Sequence, residues 1–413
     1  MNSEVIQRNE NGHAIIPGKA WGMLVLTLLV TITIPLNMFK CPGLAGSIIG
    51  YYGIDPSAFG WSMSIFTVMG IVLAFPASAI ISKIGSKAAV SISVAFTVVG
   101  SIIGAVSTDF TMFLAARFLE GVGMGLVAVA APAVLTRWFP RHKRGLAIGI
   151  WSPWVPIGSI VMLNASNPLA SAFGGWQGAW WFGAIYGIVM LILWIIFFKE
   201  PEVAITDADE FGDGESECNS VKDYKKPILC GSMWAIAISF CIFNICQNGT
   251  INTFYTTYLT TIHGFDDAMA AFATSVITIL AIPSAILGGF LADKFKTRRW
   301  LIVAGYCSII IATIWLFNWT ETWQLYLCLF ICGLFPSFAT TNVFASAGEL
   351  MKPGHVPLGA AIIAFMQNIG SFIGGIALGY MYVPMGWAMA SYVLFFPLLI
   401  VAVLLAVFTK KLR

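Results

Sequence analysis

The sequence predicts an all-α polytopic membrane protein with twelve transmembrane helices in two pseudo-symmetric six-helix bundles. Three observations predict it. Hydrophobic residues make up 58% of the 413-residue chain and charged residues only 10%, with a mean hydropathy of +0.85. A soluble domain carries about 25% charged residues. Twelve apolar runs are long enough to cross a bilayer. Lys and Arg gather at one set of run ends, as the positive-inside rule requires.

The runs of the first half fall at 20–45, 57–82, 87–107, 110–136, 144–166 and 178–198. Those of the second fall at 229–259, 268–292, 300–319, 322–347, 357–382 and 387–409. One side receives Arg8, Lys19, Lys83, Lys87, Arg137, Arg141, Lys143, Arg144 and Lys199. It also receives Lys294, Lys296, Arg298, Arg299, Lys352, Lys410, Lys411 and Arg413. Asp55, Asp109, Asp266, Asp267 and Glu321 mark the other side. Both termini and the central loop are therefore expected in the cytoplasm, with the chain in the cell membrane. The polar start, with Glu4, Arg8, Glu10 and Lys19, is not that of a signal peptide.

Two halves are expected, 1–199 and 229–413, joined by an acidic linker over 200–228. In the linker, Asp207, Asp209 and Gly212 fit a calcium loop, but Phe211 and Cys218 stand where two further ligands belong. A solvated tether is the better reading. The halves look related. Ile-Ser82-Lys83 and Leu-Ala-Asp293-Lys294 each follow the second run of their half, and the same offset sets Arg137 opposite Gly348-Glu349. Such internal repeats mark secondary transporter folds.

The fourth run holds an acid and a base well inside the membrane. Arg117 and Glu120 stand three residues apart, so they are neighbours on a helix. Ionised groups at that depth cost several kcal/mol unless they meet water, a partner or a ligand. Gly121 and Gly125 continue the Arg117 face and admit a close helix neighbour. In the first run Thr33, Asn37 and Lys40 share one face. If the helix continues to about Ala45, Lys40 points into a cavity; if Pro42 breaks it, Lys40 snorkels to the surface. A cavity holding Lys40, Arg117 and Glu120 is net positive, which suits a small anion. Glu120 is either a proton carrier or part of a structural or ligand-orienting ion pair.

The seventh run carries an amide stripe, Asn244, Asn248 and Asn252, with Gln247 and Tyr255 nearby. It either lines the pore or knits helices together. Gln367 and Asn368 in the eleventh run are similar, and Trp151 and Trp154 are candidates for a pocket wall. The histidines His13, His142, His263 and His355 fall in the tail or loops, and no nucleophile-elbow, phosphate-loop or HExxH motif occurs. Neither an enzyme nor a cofactor or metal is expected. The eight cysteines read as small buried hydrophobes rather than as disulfides.

These residues resemble the major facilitator superfamily over essentially the whole chain. Its cytoplasmic loop signature matches Gly289-Phe-Leu-Ala-Asp293-Lys294-Phe-Lys296-Thr-Arg298-Arg299, except that Lys296 replaces the second Gly. In the first half Ser78 and Ser82 replace the Gly and Asp, while Lys83, Gly85 and Lys87 remain. The resemblance implies a latch on the inner gate, with Asp293 as its carrier. It also places Arg117, Glu120 and Gly121 at the family's fourth-segment motif, where the Arg looks toward the central cavity. Gly149-Ile-Trp151-Ser-Pro153-Trp154-Val-Pro156-Ile-Gly158 loosely resembles a motif of antiporters. Arg137-Trp-Phe-Pro140 and Arg144-Gly-Leu-Ala are similar to a branch that includes cyanate, nitrate and oxalate carriers.

The expectation is therefore a monomeric secondary transporter of a small anion, working by alternating access, with lipid and substrate but no nucleic acid as partners. The alternative is a proton-coupled exporter of lipophilic compounds. A non-transporting membrane sensor is remote.

Overall fold

The computed structural model describes residues 18–139, 141–200, 231–351 and 356–409. The expected linker beyond Glu200, with its Asp207, Asp209, Phe211, Gly212 and Cys218, lies outside the described residues. So do Arg8, His13, Lys352, His355, Lys410, Lys411 and Arg413, and the side chains of Asp293 and of residues 141–145.

Lipid offers no hydrogen bonds, so an apolar run must satisfy its own backbone as a helix. The first half comprises α1 (Gly18–Gly43), a short α2 (Ala45–Tyr52), α3 (Pro56–Leu73), α4 (Pro76–Ile84) and α5 (Ser86–Ala105). It continues with α6 (Phe110–Trp138), α7 (Arg141–Trp151), α8 (Trp154–Ala172) and α9 (Gln177–Phe197). The second half begins with α10 (Gly231–Asn244), a π-helical segment (Ile245–Ile251) and α11 (Asn252–His263). It ends with α12 (Asp267–Phe295), α13 (Arg299–Leu316), α14 (Thr322–Leu334), α15 (Pro336–Leu350) and α16 (Val356–Phe408).

The pairs α3–α4, α7–α8 and α14–α15, and the α10–π–α11 unit, each make one crossing with a break. Pro76 and Pro336 stand at the first position after two of these breaks, where a missing N–H costs nothing. α16 makes two crossings, because Gly386 at φ 76° and ψ 163° turns the chain in a region open only to glycine. Among the described residues twelve crossings result, matching the expected runs to within a few residues at most ends. The exceptions are the fifth crossing, which extends six residues further to Ala172, and the seventh, which extends four further to His263. Other ends have local stops. Asp109 accepts a hydrogen bond from the Met112 N–H at 2.8 Å, capping α6. Glu321 and Gln324 form a capping box on α14.

Pro42 does not break the first crossing. The helix passes through it to Gly43, which keeps Lys40 on the Thr33–Asn37 face. The six described cysteines are free, and all but Cys307 are buried.

The halves meet along a seam between α3 and α16. Ser64 Oγ donates to the Phe372 carbonyl at 2.8 Å. Gly60 lets the Gly375 carbonyl approach where a Cβ would clash, and Gly379 packs likewise on Ser57. Further along, Asn368 fills the space beside Gly70, and Phe75 meets Phe365 with centroids 5.2 Å apart. α1, α2 and α3 also meet α11 at the acidic end, and α8 packs on α12. Among the described residues the basic-end helices α4, α7 and α15 make their substantial contacts within their own half.

Candidate functional site

Among the described residues, Lys40, Arg117 and Glu120 are the fully buried charged side chains. They form one network inside the first half. Lys40 Nζ donates to Glu120 Oε1 at 2.7 Å, Ser101 Oγ at 2.7 Å and Asn37 Oδ1 at 2.6 Å, which uses all three ammonium protons. Arg117 Nη1 pairs with the other carboxylate oxygen, Glu120 Oε2. One acid is thus shared by two cations, leaving a net charge of one positive.

The rest of the Arg117 fork is held by backbone. Nη1 donates to the Asn37 carbonyl at 2.7 Å, Nη2 to the Met38 carbonyl at 3.2 Å and Nε to the Ser62 carbonyl at 3.2 Å. Pro42 explains one of these acceptors. Lacking an N–H, it leaves the Met38 carbonyl four residues earlier without its helical donor, and Arg117 supplies one. Aromatic faces close the shell: the guanidinium lies 4.6 Å from the Phe66 ring centre, and Lys40 Nζ lies 4.5 Å from that of Trp180. Ser101 relays onward to the Trp180 carbonyl at 2.7 Å.

Of the two alternatives for Lys40, the snorkelling one does not occur: the helix runs on through Pro42 and Lys40 is fully buried. Its ammonium lines no open space here; it turns between α1, α5, α6 and α9 because Glu120 and Ser101 offer acceptors there. Asn37 belongs to the same network, donating through Nδ2 to the Thr33 carbonyl at 2.8 Å. Trp151 and Trp154 are buried and stack at 5.4 Å, with Trp151 Nε1 donating to Thr31 Oγ1 at 3.1 Å. They pack the α7–α8 break onto α1 rather than walling an open pocket.

The amide stripe of the second half forms a ladder. Asn248 Nδ2 donates to Asn244 Oδ1 at 2.6 Å, and Asn252 Nδ2 to Asn248 Oδ1 at 2.9 Å. Asn244 caps the series on the Phe240 carbonyl at 2.8 Å. The ladder runs along the π-helical segment, and wide turns of this kind recur at functional sites. Asn248, Asn252 and Gln247 are half-buried, and Gln247 Oε1 has no hydrogen-bond partner. Tyr255 departs from the stripe. It is fully buried in the second half, against Tyr258 and Phe317 at 5.9 and 5.7 Å, because its ring packs better between helices than beside amides. Gln367 is half-buried on α16, next to the Asn368 that meets Gly70.

At the basic end the gate residues divide. Lys87 caps the end of α9, donating to the Ile195 and Phe198 carbonyls at 3.1 and 2.8 Å. Arg299 does the same for α16 at the Thr409 carbonyl, 2.9 Å away. Arg298 pairs with Glu349 at 2.7 Å, and Arg137 with Glu200 at 3.2 Å. Lys83 and Lys294 are exposed. Gly85 ends α4 at φ 82°, and Gly289 faces Thr341 of α15.

Sequence reasoning missed Ser62, Ser101 and Trp180, which complete the network. Pro42, weighed only as a possible break, was also a signal for the free Met38 carbonyl that Arg117 meets.

The Major Facilitator Superfamily model matches residues 26–320 and 242–413, nearly the whole chain. The chain belongs to that superfamily. This superfamily member is a transporter, not an enzyme, and an integral multi-pass membrane protein. It is 20% identical to the D-galactonate transporter of Escherichia coli O6:H1 over 92% of this chain and 93% of that one. Its identity to the sialic acid transporter NanX of Escherichia coli K12 is 25%, covering 63% and 64% of the two chains. Myo-inositol transporter 3 of Cryptococcus neoformans is 31% identical over 30% of this chain, but the match spans only 21% of that transporter. Sialin of Ovis aries is matched over 52% of its length at 25% identity. Among solved structures, the D-xylose-proton symporter superposes with a TM-score of 0.76 at 14% identity, covering 95% and 98% of the chains. An inward-facing, unoccupied bacterial homologue of the human lysosomal transporter Spinster gives 0.73 at 15% identity, covering 95% of each.

Proposed function

We propose that this transporter moves a small organic anion, a carboxylate, by alternating access, with both termini in the cytoplasm. The observation that carries the reading is the buried network of two cations and one acid. With Glu120 ionised, Lys40 and Arg117 are both occupied. A proton on Glu120 leaves two cations short of a counter-charge, and a carboxylate is the ligand whose two oxygens replace those of Glu120. Proton and anion are then favoured in the same state, which is the thermodynamic requirement for moving them together. The Asn244–Asn248–Asn252 ladder supplies neutral donors and acceptors for the rest of the substrate. The names of several relatives support the class: galactonate, sialic acid and 3-(3-hydroxy-phenyl)propionate are all carboxylic acids.

Uptake into proteoliposomes tests the reading with a panel of sugar acids and aromatic acids under a proton gradient. Wild type is expected to accumulate one of them, and Glu120→Gln to exchange it without gradient-driven accumulation. Glu120→Asp, which keeps the acid, retains coupling at a lower rate. Accumulation by Glu120→Gln equal to wild type would sink the coupling role. Transport of lipophilic cations undisturbed by Arg117→Gln would hand the function to the exporter reading.

A further inference from the structure

At the basic end of the second half, the chain leaves α12 through a backbone that suits glycine. Lys296 follows the last residue of α12 at φ 52° and ψ 36°, and among the described residues it is the one non-glycine at positive φ. Its N–H and that of Thr297 both reach the Ala292 carbonyl, closing the helix. Gly53 and Gly264 end α2 and α11 in the same left-handed conformation, and there glycine fills the place. A lysine here carries local strain, so the side chain is kept for something the backbone does not reward.

Its surroundings say what. Arg298 is taken by Glu349 and Arg299 by the Thr409 carbonyl, so those bases tie helices together. Lys294 and Lys296 instead project from the surface, exposed. Beside them Phe290, Phe295 and Trp300 are each at least 60% exposed, two apolar rings for acyl chains and one Trp of the type enriched at headgroup depth. Lys294 Nζ lies 5.9 Å from the Phe295 ring centre. Two exposed cations, one of them beside an exposed aromatic ring, at the end of an apolar helix complement a phosphate group whose acyl chains lie along α12.

We infer that Lys294 and Lys296 form a binding site for an anionic phospholipid in the leaflet at the basic end of the molecule. The site is independent of the transport site, and the strained Lys296 is its main contact.

The test uses the full-length purified protein and compares phosphatidylglycerol with phosphatidylcholine of the same acyl chains, reading melting temperature and retained lipid by native mass spectrometry. Phosphatidylglycerol is expected to raise the wild-type melting temperature more than phosphatidylcholine, by mass action on the folded state. Lys296→Gly should melt higher than wild type in phosphatidylcholine, because the strain is gone, yet lose most of the phosphatidylglycerol increment. Lys296→Gln keeps the strain and loses the same increment. A lysine near the surface is worth roughly fivefold in affinity for anionic lipid, and each variant should show a loss of that order. Lys19→Gln, which removes an exposed base from the first half, should change nothing. The inference is overturned if Lys296→Gly keeps the full increment, if Lys19→Gln loses as much, or if inorganic phosphate alone reproduces the effect.

Discussion

Lys40, Glu120 and Arg117 set a charge balance that single substitutions disturb unequally. Lys40→Met leaves the Arg117–Glu120 pair intact and neutral, so the cost is that of three hydrogen bonds, of which the one to the Glu120 carboxylate is the largest at about 1.5–3 kcal/mol. Glu120→Gln leaves two buried cations facing each other with no acid between them, and breaking a buried pair in this way costs about 3–5 kcal/mol. Thermal unfolding of the purified proteins should therefore rank wild type above Lys40→Met and Lys40→Met well above Glu120→Gln. A transported carboxylate should restore much of the Glu120→Gln loss while adding less to Lys40→Met, which lacks one of the two cations. Equal melting temperatures for the two variants would mean that water or an unseen partner neutralises the network. Arg117 stands apart, because three of its contacts are backbone carbonyls of α1 and α3. Its removal unties helices as well as charges.

α6 is the element that brings this network together, and its glycines do so by letting neighbours in. Gly121 lies against the Phe66 backbone and Gly125 against that of Met69, so α3 rides on one face. Gly123 meets Ser93 and Thr97 of α5 on another. Gly121→Ala would drive a methyl into the Phe66 carbonyl, pushing α3 away and with it the Ser62 carbonyl that holds Arg117 Nε. Overpacking of this kind costs about 1–3 kcal/mol. Gly149→Ala, where a methyl meets open space, is the control and should melt like wild type. If both melt alike, the α3–α6 contact is looser than described. The close face was legible in the sequence, because Gly121 and Gly125 repeat at helical spacing beside Arg117. Crossing number and most crossing ends were legible too, since the bilayer sets a length that apolar runs must meet. Pairing across helices was not. Nothing local tells that Lys40 reaches Glu120 rather than a cavity, and Ser62 and Ser101 look like any small polar residue in an apolar run. Tyr255 was read with its amide neighbours by proximity, but its partners Phe317 and Tyr258 were invisible without the fold.

At the scale of the molecule, the contacts between halves are uneven. At the acidic end α1, α2 and α3 meet α11, and the Asp267 carboxylate of one half lies beside Gly46 of the other, 3.4 Å from where a Cβ would sit. At the basic end α4, α7 and α15 stay with their own halves. A transporter that alternates must trade this arrangement for its opposite, parting Gly46 from Asp267 once per cycle while the α3–α16 seam slides on its glycines. The network on α1 and α6 lies toward the closed end, so its access to the acidic side depends on that parting. A cysteine pair at Gly46→Cys and Asp267→Cys, joined by a short thiol cross-linker, should hold the acidic end shut. Transport should fall to background on cross-linking and return when a cleavable linker is cut. Each single-cysteine variant, made with Cys218, Cys230 and Cys307 replaced by Ser, should be insensitive, since the other described cysteines are buried. Binding of the carboxylate from the basic side should survive cross-linking, whereas exchange across the membrane should not. Unchanged transport by the cross-linked protein would show that the acidic end does not open there, and the rocking of one half against the other would have to turn about a different edge.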